Sequence, residues 1–137
     1  MLDLQQIHTN LVDSSRVAQK VLATVISYYP GRGASGTDEA LCDAGGIAMS
    51  KDTGPIEGYG WVNGGSWFLK SVSQEHGTLA QTSGSDSGSI KIGDKVEIIG
   101  QHACMIAAAH PWYYIVDSST AENAGRVVDV WIPCKGW

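Results

Sequence analysis

A chain of 137 residues, 43% of them hydrophobic, is long enough to bury one core without staples. Its 14 acidic against 9 basic residues give a formal charge of -5, which argues against a nucleic-acid partner, since a phosphate-binding surface needs clustered Lys and Arg. No apolar run is long enough to span a bilayer, and the opening MLDLQQIHTN lacks the basic and apolar regions of a signal peptide, so a reducing, cytoplasmic setting is expected.

In chain order, Asp13 or Ser14 can cap a short helix, and Val21–Tyr29, rich in β-branched and aromatic residues, predicts a strand ended by Pro30-Gly31. A polar loop over 31–39 leads to two short strands, one around Ala40–Asp43 and one through Ile47–Met49, on either side of a glycine pair. Gly-Pro, Asn-Gly and Gly-Gly pairs between Asp52 and Trp67 mark loops and a hairpin. Trp67–Ser73 reads as a strand running into SQEHG, and QTSGSDSGSI (81–90) as a surface loop without chemistry. Lys95–Ile99 is a buried strand, after which HACMIAAAH (102–110) continues extended or turns. Trp112–Asp117 and Val127–Ile132 are further strands, joined by a hairpin loop over SSTAENAGR. Seventeen glycines and many short strands predict a mainly β domain over residues 1–137, a small antiparallel barrel or sandwich, with no internal repeat or domain boundary.

Three cysteines, Cys42, Cys104 and Cys134, make an odd count without disulfide-scaffold spacing. One of them has a specific alternative use: His102-x-Cys104 offers an imidazole nitrogen and a thiolate, donors that suit zinc. On an extended strand i and i+2 share a face, about 6–7 Å apart, a spacing better suited to two ligands of one ion than to a thiolate–imidazole pair. Two ligands fall short of a full zinc set, and a half-buried His beside a small Cys is the plain alternative. His76 in SQEHG is a candidate acid, base or ligand at a strand end, or else part of a polar turn in which Gly77 takes a positive φ. CDAGGIAMSKDTG (42–54) is glycine-rich yet carries no nucleotide-binding spacing, and no serine lies in a G-x-S-x-G elbow. The tryptophan-rich stretches, Trp61–Trp67 and Trp112–Tyr114, read as core and edge packing.

Taken together and in order, DLQQ (3–6), VLATVISYYP (21–30), ALCDAGGIAMSKDTGP (40–55), SQEHG (73–77), GDKVEIIGQHAC (93–104) and VVDVWIPCKGW (127–137) resemble the C-terminal region of the D-serine dehydratase and D-threonine aldolase family. These are alanine-racemase-like enzymes that use pyridoxal phosphate, and the resemblance spans nearly the whole chain. It implies a β-barrel like the alanine racemase C-terminal domain, with a short N-terminal helix. It implies zinc on His102 and Cys104, with His76 near the pocket and a D-β-hydroxy amino acid as substrate. The aldolase branch has an Asp as second ligand and a metal such as manganese, so Cys104 points to the dehydratase branch. The family commonly has Pro-Asn before the His, where this chain has Gly100-Gln101.

The cofactor lysine of such enzymes lies in an N-terminal TIM-type barrel, and none of Lys20, Lys51, Lys70, Lys91, Lys95 and Lys135 matches it. LDLQQ is accordingly expected to be the last strand of that otherwise absent barrel. The chain is then expected to be the metal-binding, substrate-side half of a D-amino-acid lyase, inactive alone and capable of forming a homodimer. One alternative is a stand-alone binding module that kept the fold. Another is a small metal hydrolase using His102, Cys104 and His76.

Overall fold

The computed structural model describes residues 1–84, 90–117, 119 and 125–134. Six strands form a closed barrel: β1 (Val21–Tyr29), β2 (Glu39–Cys42), β3 (Gly60–Val62), β4 (Trp67–Val72), β5 (Gly77–Gln81) and β6 (Lys95–Gly100). Around the barrel the order is β1-β2-β5-β4-β3-β6, every pairing antiparallel, and β6 closes onto β1 through Val21↔Ile98. Closure leaves no barrel strand with an unpaired edge.

Strand periodicity builds the core. In β1, Val21, Ala23 and Val25 are buried while Leu22 points out. They meet Leu69, Leu79 and Ile98, each fully buried, together with Cys42 and Trp67. The β3–β4 hairpin turns at Gly64 and Gly65, whose φ values of 101° and 78° fit the Gly-Gly signal read from the sequence. Lys20 reaches across to Glu97, its Nζ donating to Oε2 at 2.7 Å, and Asn63 donates to the same oxygen at 2.9 Å. The Lys20 bond, aided by Asn63, holds the Glu97 carboxyl below its usual range. A carboxyl depressed in the folded state contributes stability above its unfolded pKa and loses it as pH falls through the folded value. Because Glu97 is about half exposed, solvent screening limits the gain. Glu97→Gln is expected to cost about 0.5 kcal/mol at pH 7, the difference shrinking as pH falls below the ordinary glutamate range and through the depressed folded value, read from urea titrations at several pH values.

Four sequence expectations change. LDLQQ is not a strand: α1 (Leu4–His8) is a helical turn whose capping box pairs Asp3 with Gln6. The helix expected near Asp13 is a single 3-10 turn, Ser14–Arg16, capped by the Asp13 side chain. Ile47–Met49 belongs to α2 (Gly46–Met49), because the N–H groups of Gly46 and Ile47 donate to Ser73 and Gln74 carbonyls at 2.9 and 3.2 Å, giving a helix start its partners. HACMIAAAH neither continues extended nor merely turns; the alanine-rich stretch forms α3 (Ala103–Ala109), in keeping with alanine's helix propensity. The expected loops over 81–90 and 118–126 both run into residues outside the described set.

Among the described residues, the last two strands, β7 (Tyr113–Val116) and β8 (Val127–Trp131), pair with each other in a two-stranded sheet separate from the barrel. Trp112, Tyr114, Val128 and Trp131 are exposed, whereas Trp67 is core and Trp61 packs beside Leu4, Val17 and Ile99. No helix among the described residues is long and apolar enough to cross a membrane.

Candidate metal centre

The barrel register gathers the chemistry at one end. Cys42 pairs with Gly77, Val72 with Gly77, and Gly60 with both Leu69 and Gly100, so the ends of β2, β4 and β6 meet the starts of β3 and β5. The segments leaving there are the loop with α2 (43–59), the SQEH turn (73–76) and the run from Gln101 into α3. Candidate residues far apart in sequence therefore share one end of the barrel.

His102 is the N-cap of α3, in extended conformation, and Cys104 is the second residue of that helix. The two do not lie side by side on a strand, as i and i+2 spacing had implied; a change of backbone direction between them sets their relation instead. His102 Nδ1 faces Asp52 Oδ2 at 2.5 Å, and the imidazole is 32% exposed. A carboxylate on one ring nitrogen fixes the tautomer and leaves the other nitrogen, Nε2, to act as a ligand, the usual arrangement around a metal-bound histidine. Asp52 was not singled out by sequence reasoning, which saw only a glycine-rich turn in SKDTG. An acidic residue placed 50 positions before the histidine carries no local spacing signal.

Three further residues hold this end together. Gln101 is fully buried and donates from Nε2 to the Gly58 carbonyl at 2.9 Å, tying the start of α3 to the loop that follows Asp52. Asp3, 3% exposed, accepts from the Ala103 amide at 2.6 Å and so docks α1 on the first turn of α3. Gly100 lets α3 fold back over β6: a Cβ there would meet Ile106 Cδ1 at 2.0 Å. At its far end α3 is tied to α2 by His110 Nε2 and the Ala48 carbonyl at 3.1 Å.

His76 is exposed on the SQEH turn at the same end, its carbonyl accepting from Ser73 N at 2.8 Å. Gly77 does not take the positive φ expected of it and is instead the first residue of β5. Among the described residues, no three His, Cys, Asp or Glu side chains form a group able to hold a metal ion, so His102, Cys104 and His76 do not converge as a three-donor set. By donor type, the His102 imidazole held by Asp52 and the exposed Cys104 thiol suit a borderline-soft divalent ion. Cys42 is not a competing ligand: it is fully buried in the core, and burial pushes its thiol pKa up, whereas Cys104 is exposed.

Residues 18–116 match the family model of the serine dehydratase domain. The chain is 40% identical over 141 residues to the D-serine dehydratase of Schizosaccharomyces pombe, an alignment covering 100% of this chain and 32% of that protein. Among solved structures, D-threo-3-hydroxyaspartate dehydratase from Delftia sp. HT23 superposes with a TM-score of 0.78 at 30% identity, covering 100% of this chain and 37% of that one. Two variants of that dehydratase give the same TM-score of 0.78: a cysteine-to-alanine variant in the metal-free form, and a histidine-to-alanine variant two positions earlier. An alanine-racemase-like protein from Idiomarina loihiensis also superposes at 0.78, with 27% identity, 100% of this chain and 37% of that one covered. The chain thus spans about a third of the length of the relatives it matches.

Proposed function

The chain belongs to the serine dehydratase domain family, and we propose that it is the metal-binding, substrate-side domain of a D-amino-acid lyase dependent on pyridoxal phosphate and zinc. The reaction class is elimination of water from a D-β-hydroxy amino acid. The observation that carries the reading is the His102–Asp52 pair immediately before Cys104 at the functional end of the barrel. It is supported by the dehydratase variants, in which a histidine and a cysteine at the same two-residue spacing were altered, the cysteine variant's structure being described as a metal-free form.

In this reading Asp52 holds the His102 ring so that Nε2 and the Cys104 sulfur bind zinc, and His76 stands near the substrate. Pyridoxal phosphate, when bound, supplies the electron sink for the α-carbon and zinc the positive charge for the departing hydroxide. The cofactor lysine lies outside these 137 residues, so the chain alone is inactive towards D-serine. Cytoplasmic location and a homodimer complete the proposal, the former supported by three free cysteines.

Zinc content tests the reading. After equilibration with zinc and removal of excess, the wild-type chain is expected to retain about one ion, which slows alkylation of Cys104. His102→Ala and Cys104→Ala are expected to lose that ion with little change in melting temperature. Asp52→Ala should weaken zinc binding about tenfold, the effect of removing an outer-shell partner. A wild-type chain without stoichiometric zinc, indistinguishable from His102→Ala, would overturn the assignment.

A further inference from the structure

Ser50, where the chain leaves α2, has a backbone that residues with a Cβ rarely adopt: φ is 64° and ψ is 179°. A helix that ends on a left-handed residue usually ends on glycine, with ψ near about 47°. Ser35, at φ 59° and ψ 24°, lies close to that ordinary left-handed region. Ser50 lies outside it, in the region that is essentially glycine's own. The chain uses glycine freely where φ is positive, as at Gly31, Gly58 and Gly93, yet it keeps a serine here. Such strain is relieved by glycine and persists only where the surroundings over-determine it.

The surroundings are specific. Behind Ser50, Met49 is fully buried in the core, and the first amides of α2 are held by the Ser73 and Gln74 carbonyls. Ahead of it the chain doubles back. A Cβ on Gly46 would stand 3.1 Å from Lys51 Cε and 3.5 Å from Lys51 Cγ, so the Lys51 stem lies across the start of α2. The Asp52 amide then donates to Ser50 Oγ at 3.3 Å, while the Asp52 carboxylate faces His102. The chain has only Ser50 and Lys51 in which to turn from a buried methionine to a carboxylate tied to α3. A glycine at 50 would allow the turn without closing it, and an alanine would keep the strain and lose the hydroxyl.

We propose that Ser50 is a positioning residue for the metal pair: its left-handed backbone turns the chain off α2 so that Asp52 meets His102, and its hydroxyl closes that turn on the Asp52 amide. The strain at Ser50 is thus held between the core packing of α2 and the His102–Asp52 contact. The inference rests on the metal reading for its effect on zinc, whereas its effect on the pair itself stands without zinc.

Urea denaturation, zinc titration and imidazole ¹⁵N spectra of the zinc-free chain, wild type and three variants, test it. Ser50→Gly is expected to match or exceed the wild-type urea midpoint, because relief of strain offsets the lost bond. It should nevertheless shift or broaden the hydrogen-bonded His102 Nδ1–H resonance. Its zinc affinity should fall about fivefold, somewhat less than for loss of a direct outer-shell partner. Ser50→Ala should show the same His102 change at a lower midpoint. Ser50→Asn should restore the resonance, since asparagine tolerates positive φ and its side-chain carbonyl accepts from the amide two residues on. A merely structural Ser50 would move midpoint and resonance together. A Ser50→Gly chain with the wild-type His102 resonance would overturn the proposal, as would a Ser50→Gly midpoint as low as that of Ser50→Ala. A wild-type chain that binds no zinc, with His102 responding as expected, would sink the metal reading and leave this inference standing. Zinc bound with a resonance indifferent to Ser50 would do the reverse.

Discussion

Gly77→Ala is expected to destabilise the protein by about 3 kcal/mol, the upper end of the usual overpacking cost. The added Cβ would stand 2.4 Å from the Ala44 carbonyl oxygen and 2.4 Å from Leu69 Cδ1. One neighbour is backbone and the other a fully buried core side chain, so neither yields cheaply. The displacement would also reach α2, since the SQEH turn just before Gly77 supplies the carbonyls that satisfy the first α2 amides. Urea denaturation is the measurement, with a lowered midpoint at unchanged slope. Gly64→Ala is the control: φ is 101° there and no atom lies within 4 Å of the added Cβ, so only backbone strain of about 1 kcal/mol is expected. Equal costs at the two sites would refute the steric account.

The same glycine marks where sequence reading stops. SQEHG was legible as a turn after a strand, but the turn argument gives Gly77 a positive φ, whereas the barrel needs it bare because Ala44 and Leu69 crowd it. Period-two burial in Val21–Tyr29 and the Gly64-Gly65 hairpin are local signals, and they were readable. The helices at the barrel end were not. α2 forms from four residues only because carbonyls of a turn some 27 residues later receive its amides. His102 and Cys104 are visible as donor types, but the same-face argument needs an extended chain through Cys104, whereas β6 ends at Gly100 and α3 is capped at His102. Asp52 carries no local pattern, and Asp3 shows only the Asp-x-x-Gln capping signature of α1; the contact of each with the start of α3 appears only once the fold brings them there.

Asp3 is the residue whose loss is expected to disturb this end most. Its Oδ1 accepts from Gln5 N at 2.9 Å and its Oδ2 from Ala103 N at 2.6 Å, while its own amide donates to Gln6 Oε1 at 3.0 Å. Asp3→Ala removes a helix cap, worth about 1 kcal/mol, and strands the buried Ala103 amide, worth about 1–3 kcal/mol, so a total near 3 kcal/mol is expected in urea denaturation. Gln6→Ala, which breaks only the reciprocal half of the capping box, should cost about 0.5 kcal/mol. Asp3→Asn keeps one acceptor oxygen and should fall between them. The order of these three variants distinguishes a cap from a strut: if Asp3 only capped α1, Asp3→Ala and Gln6→Ala would be alike. Because Ala103 directly follows His102, the strut reading also requires that Asp3→Ala weaken zinc binding while Gln6→Ala leaves it unchanged. A contact spanning 100 positions would then make α1 part of the metal end, and equal zinc affinities in all three variants would confine Asp3 to stability alone.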